Sequence, residues 1–349
     1  MTVDGTGLQL IRLDDGRVVL SRGIAKVLLA GEGADSVAEA LLPLLDGTRE
    51  RAEIVDAFPR PLRPEVDRIL GRLIDRRLVG PGEAAEPDAD VLQSSFYASF
   101  GPAAGGARAQ LAAADVVVYG VNLIARSLVR SLSELGIGRL TLVEHPLLSD
   151  EHAPSGLDGL DGRADTATRL RVVDGEPELE GVSVVCATSD LGEPEALAEV
   201  NRLAVREERL FLPAWVADMS GYVGPLVHPF ETACFRCYRL RADSNDPSYA
   251  VWRQVRKQAT EDPVGRASAG LLPPMAAVVG EIAAIEVVKA LTQFAPSDAV
   301  GRLIEINLVS FVSTVHRVLK VPRCPDCSDT TRRPTVVLEH GPQIPFRGH

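Results

Sequence analysis

The sequence predicts an α/β chain of two parts: a small winged-helix-like module over residues 1–85, then a doubly wound, Rossmann-type domain over residues 86–349. Three observations carry this. The chain opens on a hairpin signal, Leu8–Leu13 and Arg17–Leu20 around the turn Asp14-Asp15-Gly16, and runs on into three short helical stretches. Residues 82–92, GEAAEPDADVL, are small, acidic and proline-containing, which is linker chemistry. Beyond them, apolar strand-like runs alternate with amphipathic helical patterns, as a parallel sheet with crossover helices requires.

In the first part, Ile24–Leu29 continues the β-prone pattern as a third strand. Ser36–Leu44 has an apolar stripe, and Thr48–Phe58 begins at a candidate cap in Thr48. Pro64–Leu78 opens with proline in its first turn and sets Val66, Ile69, Leu70, Leu73 and Ile74 at helical spacing. In the second part, Val116–Tyr119 is the continuous apolar run of a buried parallel strand. Helix Leu123–Leu135, strands Arg139–Val143 and Val182–Cys186, helix Glu193–Arg206 and strand Leu210–Pro213 extend the alternation. After Trp215 the pattern turns antiparallel, with Gly221–Val227, Leu303–Asn307 and Val312–Leu319 as strands. Pro274–Thr292 is a long helix whose apolar surface is broken by Glu281, Glu286 and Lys289, suited to a core or a subunit interface. The tail Thr330–His349 reads as mobile.

Composition narrows the function classes. A chain of 349 residues with 46% hydrophobic and 24% charged residues can build real cores. Lys+Arg 37 against Asp+Glu 48 gives −11, which argues against gripping nucleic acid or anionic lipid. Residues 1–85 alone hold 12 basic and 14 acidic residues, a balance of −2, so the winged-helix-like module is not a DNA binder either. No apolar run reaches the roughly 18–20 residues that cross a bilayer. The opening MTVDGTGLQLIRLDDG lacks the pattern of an export signal, so the expected compartment is the cytoplasm.

Four of the five cysteines form two C-x-x-C pairs, Cys234/Cys237 and Cys324/Cys327. Two such knuckles offer four soft thiolates, the donor set of tetrahedral zinc, and four protein ligands leave no open position for water. The expected site is therefore structural, with redox pairs or incidental buried thiols as the alternatives. Cys186 ends an apolar strand and reads as a core thiol rather than a nucleophile.

After the first strand comes Gly120-Val121-Asn122-Leu123-Ile124-Ala125. A nucleotide turn would read G-x-G-x-x-G, and here Asn122 and Ala125 replace the second and third glycines. The strand-to-helix turn survives while its phosphate cradle is compromised. Glu144 ends the next strand, where an acid would hold a ribose, or serves only as a solvated strand end.

Residues 93–330 resemble the ThiF-like adenylating fold shared with ubiquitin-activating, E1-like enzymes. The matching pieces are Phe100-Gly101, Ala114–Gly120, Gly136–Glu144 and Ala187-Thr188-Ser189-Asp190. In active members that last acid helps to bind Mg²⁺ beside ATP, and an Asn, an Arg and a Lys surround the triphosphate shortly after the second strand. Here that segment is Glu144-His145-Pro146-Leu147-Leu148-Ser149-Asp150, and no lysine occurs between Lys26 and Lys257. Arg163, Arg169 and Arg171 do not recreate the motif. Gly120, Asn122, Glu144 and Asp190 therefore read as a vestigial nucleotide site, since phosphoryl chemistry needs positioned cations.

Residues 221–241, continued by Arg241-Ala242-Asp243 and Asp246-Pro247, resemble a narrower group, the ocin-ThiF-like partner proteins of thiazole/oxazole-modified microcin biosynthesis. The resemblance implies an N-terminal domain that captures the leader of a precursor peptide. It further implies a YcaO-type cyclodehydratase partner that uses ATP and Mg²⁺ to cyclise Cys, Ser or Thr, and a homodimer formed through the C-terminal half. The alternative is an E1-like enzyme that itself adenylates a peptide or carrier-protein carboxylate. For the leader, the expected site is the strand Ile24, Lys26, Val27, Leu28 and Leu29 as a sheet edge, beside Leu70 and Ile74, with Arg68, Arg72 and Arg76 as a basic stripe.

Overall fold

The computed structural model describes residues 2–5, 7–22, 25–31, 33–81, 91–98, 100, 106–149, 168–190, 192, 195–217, 219–248, 250, 251, 254 and 270–328. Ile24, residues 82–90 of the expected linker, Gly101, Asp150, Arg163 and the tail from residue 330 lie outside these, while linker residues 91 and 92 begin a helix. The chain divides into two compact units, Met1–Arg108 and Ala109–His349.

The first unit contains β1 (Thr2–Asp4), β2 (Gln9–Arg12), β3 (Val18–Arg22), β4 (Ala25–Leu29), α1 (Ala34–Leu41), β5 (Asp46–Glu50), α2 (Arg51–Asp56), α3 (Arg63–Asp75), β6 (Gly80–Pro81) and α4 (Val91–Ala98). β2-β3-β4 and β5-β1-β6 form two antiparallel sheets. The β2–β3 turn closes as expected, with the Leu13 N–H donating to Arg17 O at 2.9 Å. Gly16 adopts a φ of 81°, which a side chain would strain. Val18, Leu20, Val27 and Leu29 share one core with Val66, Ile69, Leu70 and Leu73 of α3. Buried Arg22 donates from Nη1 to Leu78 O at 3.1 Å, tying β3 to the segment after α3.

Thr48 corrects a sequence expectation. It lies within β5, where its hydroxyl donates to Asp46 Oδ1 at 2.6 Å. The cap of α2 is instead Glu50, paired with Glu53 in a reciprocal capping box.

The second unit begins within α5 (Ala107–Ala113) and contains β7 (Asp115–Tyr119), α6 (Leu123–Glu134), β8 (Arg139–Glu144), β9 (Arg169–Asp174), β10 (Val184–Ser189), α7 (Glu195–Arg206), β11 (Leu210–Ala217) and β12 (Ser220–Val223). α8 (Phe235–Asn245), α9 (Pro273–Thr292), β13 (Arg302–Asn307) and β14 (Ser313–Arg317) complete it. One eight-stranded sheet runs β14-β13-β12-β11-β10-β7-β8-β9. β9, β8, β7, β10 and β11 are parallel, and β12 to β14 are antiparallel, as the sequence predicts.

Every residue of β7 and β10 is buried, which explains the apolar runs Val116–Tyr119 and Val184–Ala187 within them. Val117, Tyr119, Val185 and Ala187 share a core with α7, and the pleat turns their neighbours to the opposite face. On α9, a Cβ at Gly280 would lie 2.6 Å from Ile124 O and 2.8 Å from Ser127 Cβ, so α6 and α9 meet at a contact only glycine allows.

Candidate functional sites

Strand order reverses at β7 and β10, so the crevice beyond their carboxyl ends is where an open α/β sheet takes a ligand. Among the described residues, the turn that enters this crevice is held by contacts from within the chain. Asn122 caps α6, its Oδ1 accepting from the Ala125 N–H at 2.9 Å. Its Nδ2 donates to Leu148 O at 2.8 Å and Thr188 O at 2.9 Å, bridging both sides of the switch point. The Val121 N–H donates to Ser149 Oγ at 3.0 Å, and the Leu123 N–H to Asp190 Oδ2 at 3.0 Å. Three N–H groups at the start of α6, those of Val121, Leu123 and Ala125, thus already have protein acceptors.

Gly120 has a φ of 103°, and a Cβ there would meet Thr188 O at 2.7 Å and Leu148 Cβ at 3.0 Å. The turn after β8 lies over the cradle, with the Ser149 N–H donating to His145 O at 2.8 Å. Glu144 ends β8 exposed, and Asp190 is buried. Arg169 and Arg171 are exposed on edge strand β9, where Arg169 pairs with Arg139 at the amino end of β8, far from the crevice. Burial pushes the Cys186 thiol up to about 12, in keeping with a core thiol.

The four cysteines gather as the sequence predicts. Cys234 is the N-cap residue of α8 and Cys237 lies one turn on, while Cys324 and Cys327 form a turn after β14. Sulfur separations are 3.9 Å for Cys234–Cys237, 3.7 Å for Cys234–Cys324 and 3.5 Å for Cys237–Cys327. A tetrahedron with zinc–sulfur bonds of about 2.3 Å has edges of about 3.8 Å, so the spacing fits one ion. All four are buried. Hydrogen bonds among the four sulfurs hold Cys237 and Cys324 below the ordinary thiol range and push Cys234 and Cys327 above it, the pattern of thiols that share protons at close range. Arg241 Nε donates to Leu319 O at 2.6 Å, and its other arm to Lys320 O at 2.9 Å, steering the second knuckle toward the first.

In the first unit, β4 is an edge of its sheet, as expected. Lys26 and Leu28 are exposed, while Val27 and Leu29 face the core. Arg68, Arg72 and Arg76 are exposed, and Arg68 is ion-paired with Glu65. Leu70 corrects an expectation: it is wholly buried beneath the sheet and offers no surface, whereas Ile74, half-buried at the margin of that core, does.

Residues 164–329 match the model of the ThiF family, a stretch that spans β9 to β14 and includes all four clustered cysteines. Solved structures extend the likeness of fold to both units. E. coli MccB with SeMet MccA is 15% identical, with a TM-score of 0.62, over 94% of this chain and 100% of that one. The microcin C7 biosynthetic enzyme MccB in complex with N-formylated MccA is 16% identical, with a TM-score of 0.66, over 94% of this chain and 100% of that one. A heterocyclase in complex with substrate and cofactor is 19% identical, with a TM-score of 0.61; the match covers 94% of this chain and 39% of that one. No curated protein sequence matches the chain. Among the described residues no helix is long and apolar enough to cross a membrane.

Proposed function

We propose that this chain is a leader-peptide-binding partner protein that delivers a ribosomal precursor peptide to a separate YcaO-type cyclodehydratase. The turn held from within the chain carries the reading. Asn122, Ser149 and Asp190 engage N–H groups at the start of α6, and no lysine stands between residues 26 and 257 to neutralise a phosphate. The neighbours named for a peptide complex and for a heterocyclase with substrate lend support at the level of fold.

The leader adds to β4 by main-chain hydrogen bonds, with Leu28 and Lys26 outward and Ile74 at the margin of the core. ATP and Mg²⁺ act in the partner. The four cysteines would hold zinc as a structural ion, locking α8 to the segment after β14. A homodimer would cover the outward stripe of α9, where Met275, Val278, Ile282 and Ile285 recur at spacings of three and four; Ile285 is 52% exposed. Titrating a fluorescent leader peptide into the full chain tests the reading. Saturable binding that Leu28→Asp weakens is the expected result, and no binding at any concentration contradicts it.

A further inference from the structure

We infer that Asn201 of α7 is a positioning residue for the metal, a single side chain that clamps the two cysteine knuckles to each other. The inference rests on reading the cysteine cluster as a metal site. Asn201 is fully buried. Its Oδ1 accepts from the Phe235 N–H at 3.0 Å, and Phe235 directly follows Cys234. Its Nδ2 donates to Asp326 Oδ2 at 3.1 Å, and Asp326 directly precedes Cys327. One amide therefore touches the residue beside a ligand in each knuckle. Its orientation is fixed, because a backbone N–H only donates and a carboxylate only accepts.

The knuckles need such a clamp. Cys234 and Cys324 are 90 residues apart, and metal sites tolerate ligand displacements of only about 0.2 Å. The Asp326 carboxylate is 1% exposed, and its other oxygen accepts from Arg202 Nε at 3.2 Å, so consecutive residues of α7 hold both of its oxygens. Four thiolates around a divalent cation leave a net negative charge. A buried carboxylate beside them is stable only while donors hold it, and Asn201 with Arg202 supplies them. The Val321 N–H donates to Cys237 Sγ at 3.3 Å, a further contact that orients a ligand sulfur.

The test uses the full-length chain loaded with zinc, following transfer of the ion to a chelating dye, together with the visible spectrum of the cobalt(II)-substituted chain. Asn201→Ala should speed transfer by about tenfold or more, as losing an outer-shell partner does, and should shift the cobalt bands. Asn201→Asp sets two carboxylates against each other and should also release faster. The exchange Asn201→Asp with Asp326→Asn restores a donor–acceptor pair and should slow release again. Wild-type release and an unchanged cobalt spectrum in Asn201→Ala would overturn the clamp alone. If Asn201→Ala does not fold, an exchange variant that releases zinc no more slowly than Asn201→Asp overturns it. A wild-type chain that binds neither zinc nor cobalt overturns the metal reading and the clamp with it.

Discussion

Asn122 stands where a nucleotide turn would place its second glycine, and its amide closes the space that glycine would leave open. Asp190, the acid that the family resemblance assigns to Mg²⁺, instead accepts from the Leu123 N–H at the start of α6. Asp190→Ala should therefore cost stability, about 1 kcal/mol as for a lost helix cap, while partner-supported heterocyclisation stays near the wild-type rate. A thermal melt and a turnover assay on the same preparation separate the two effects. Cys186 gives a second check. With its thiol raised to about 12, only a trace is thiolate at pH 8, so iodoacetamide should spare it in the folded chain and label it once denaturant is added. The glycine replacements were legible in the sequence. Their consequence was not, because Leu148 and Thr188 come from other segments. Asn201 gave no local signal at all: its partners lie 34 and 125 residues away.

Among the elements, the central strands and the longer amphipathic helices were legible, whereas β1, α4, α5 and α8 were not. β7 and β10 announce themselves as apolar runs, and the spacing of Val66, Ile69, Leu70 and Leu73 marks α3. The strands that escaped are short or lack such a run. β9 is an edge strand with exposed Arg169 and Arg171, β5 reads DGTRE, and β6 has two residues. A strand joined mainly by backbone hydrogen bonds leaves little trace in side-chain pattern. The face of α3 was assigned correctly, but how deeply Leu70 sits under the sheet depends on tertiary packing. If the exposed arginines of α3 steer acidic leader residues, Arg72→Glu should weaken leader binding several-fold at low salt, and added salt should weaken the variant less than the wild type. Equal affinity and equal salt dependence in a titration would show that the stripe is only a solvated face.

For the whole molecule, the zinc reading predicts an asymmetric response to metal removal. Chelation should destabilise Ala109–His349 by about 4 kcal/mol if zinc stands a thousandfold above its Kd, and leave Met1–Arg108 unchanged, as hydrogen exchange on each unit would reveal. The outward stripe of α9 predicts a dimer that Ile285→Asp dissociates. Sedimentation showing a concentration-independent monomer for the wild type would remove that assembly. Whether the chain recruits, as proposed, rather than adenylates is tested most directly by ATP turnover. Purified chain with precursor peptide alone should consume no ATP above background, and adding a YcaO-type partner should start both ATP consumption and heterocycle formation. ATP consumption or an adenylated product with this chain and the peptide alone would contradict the account.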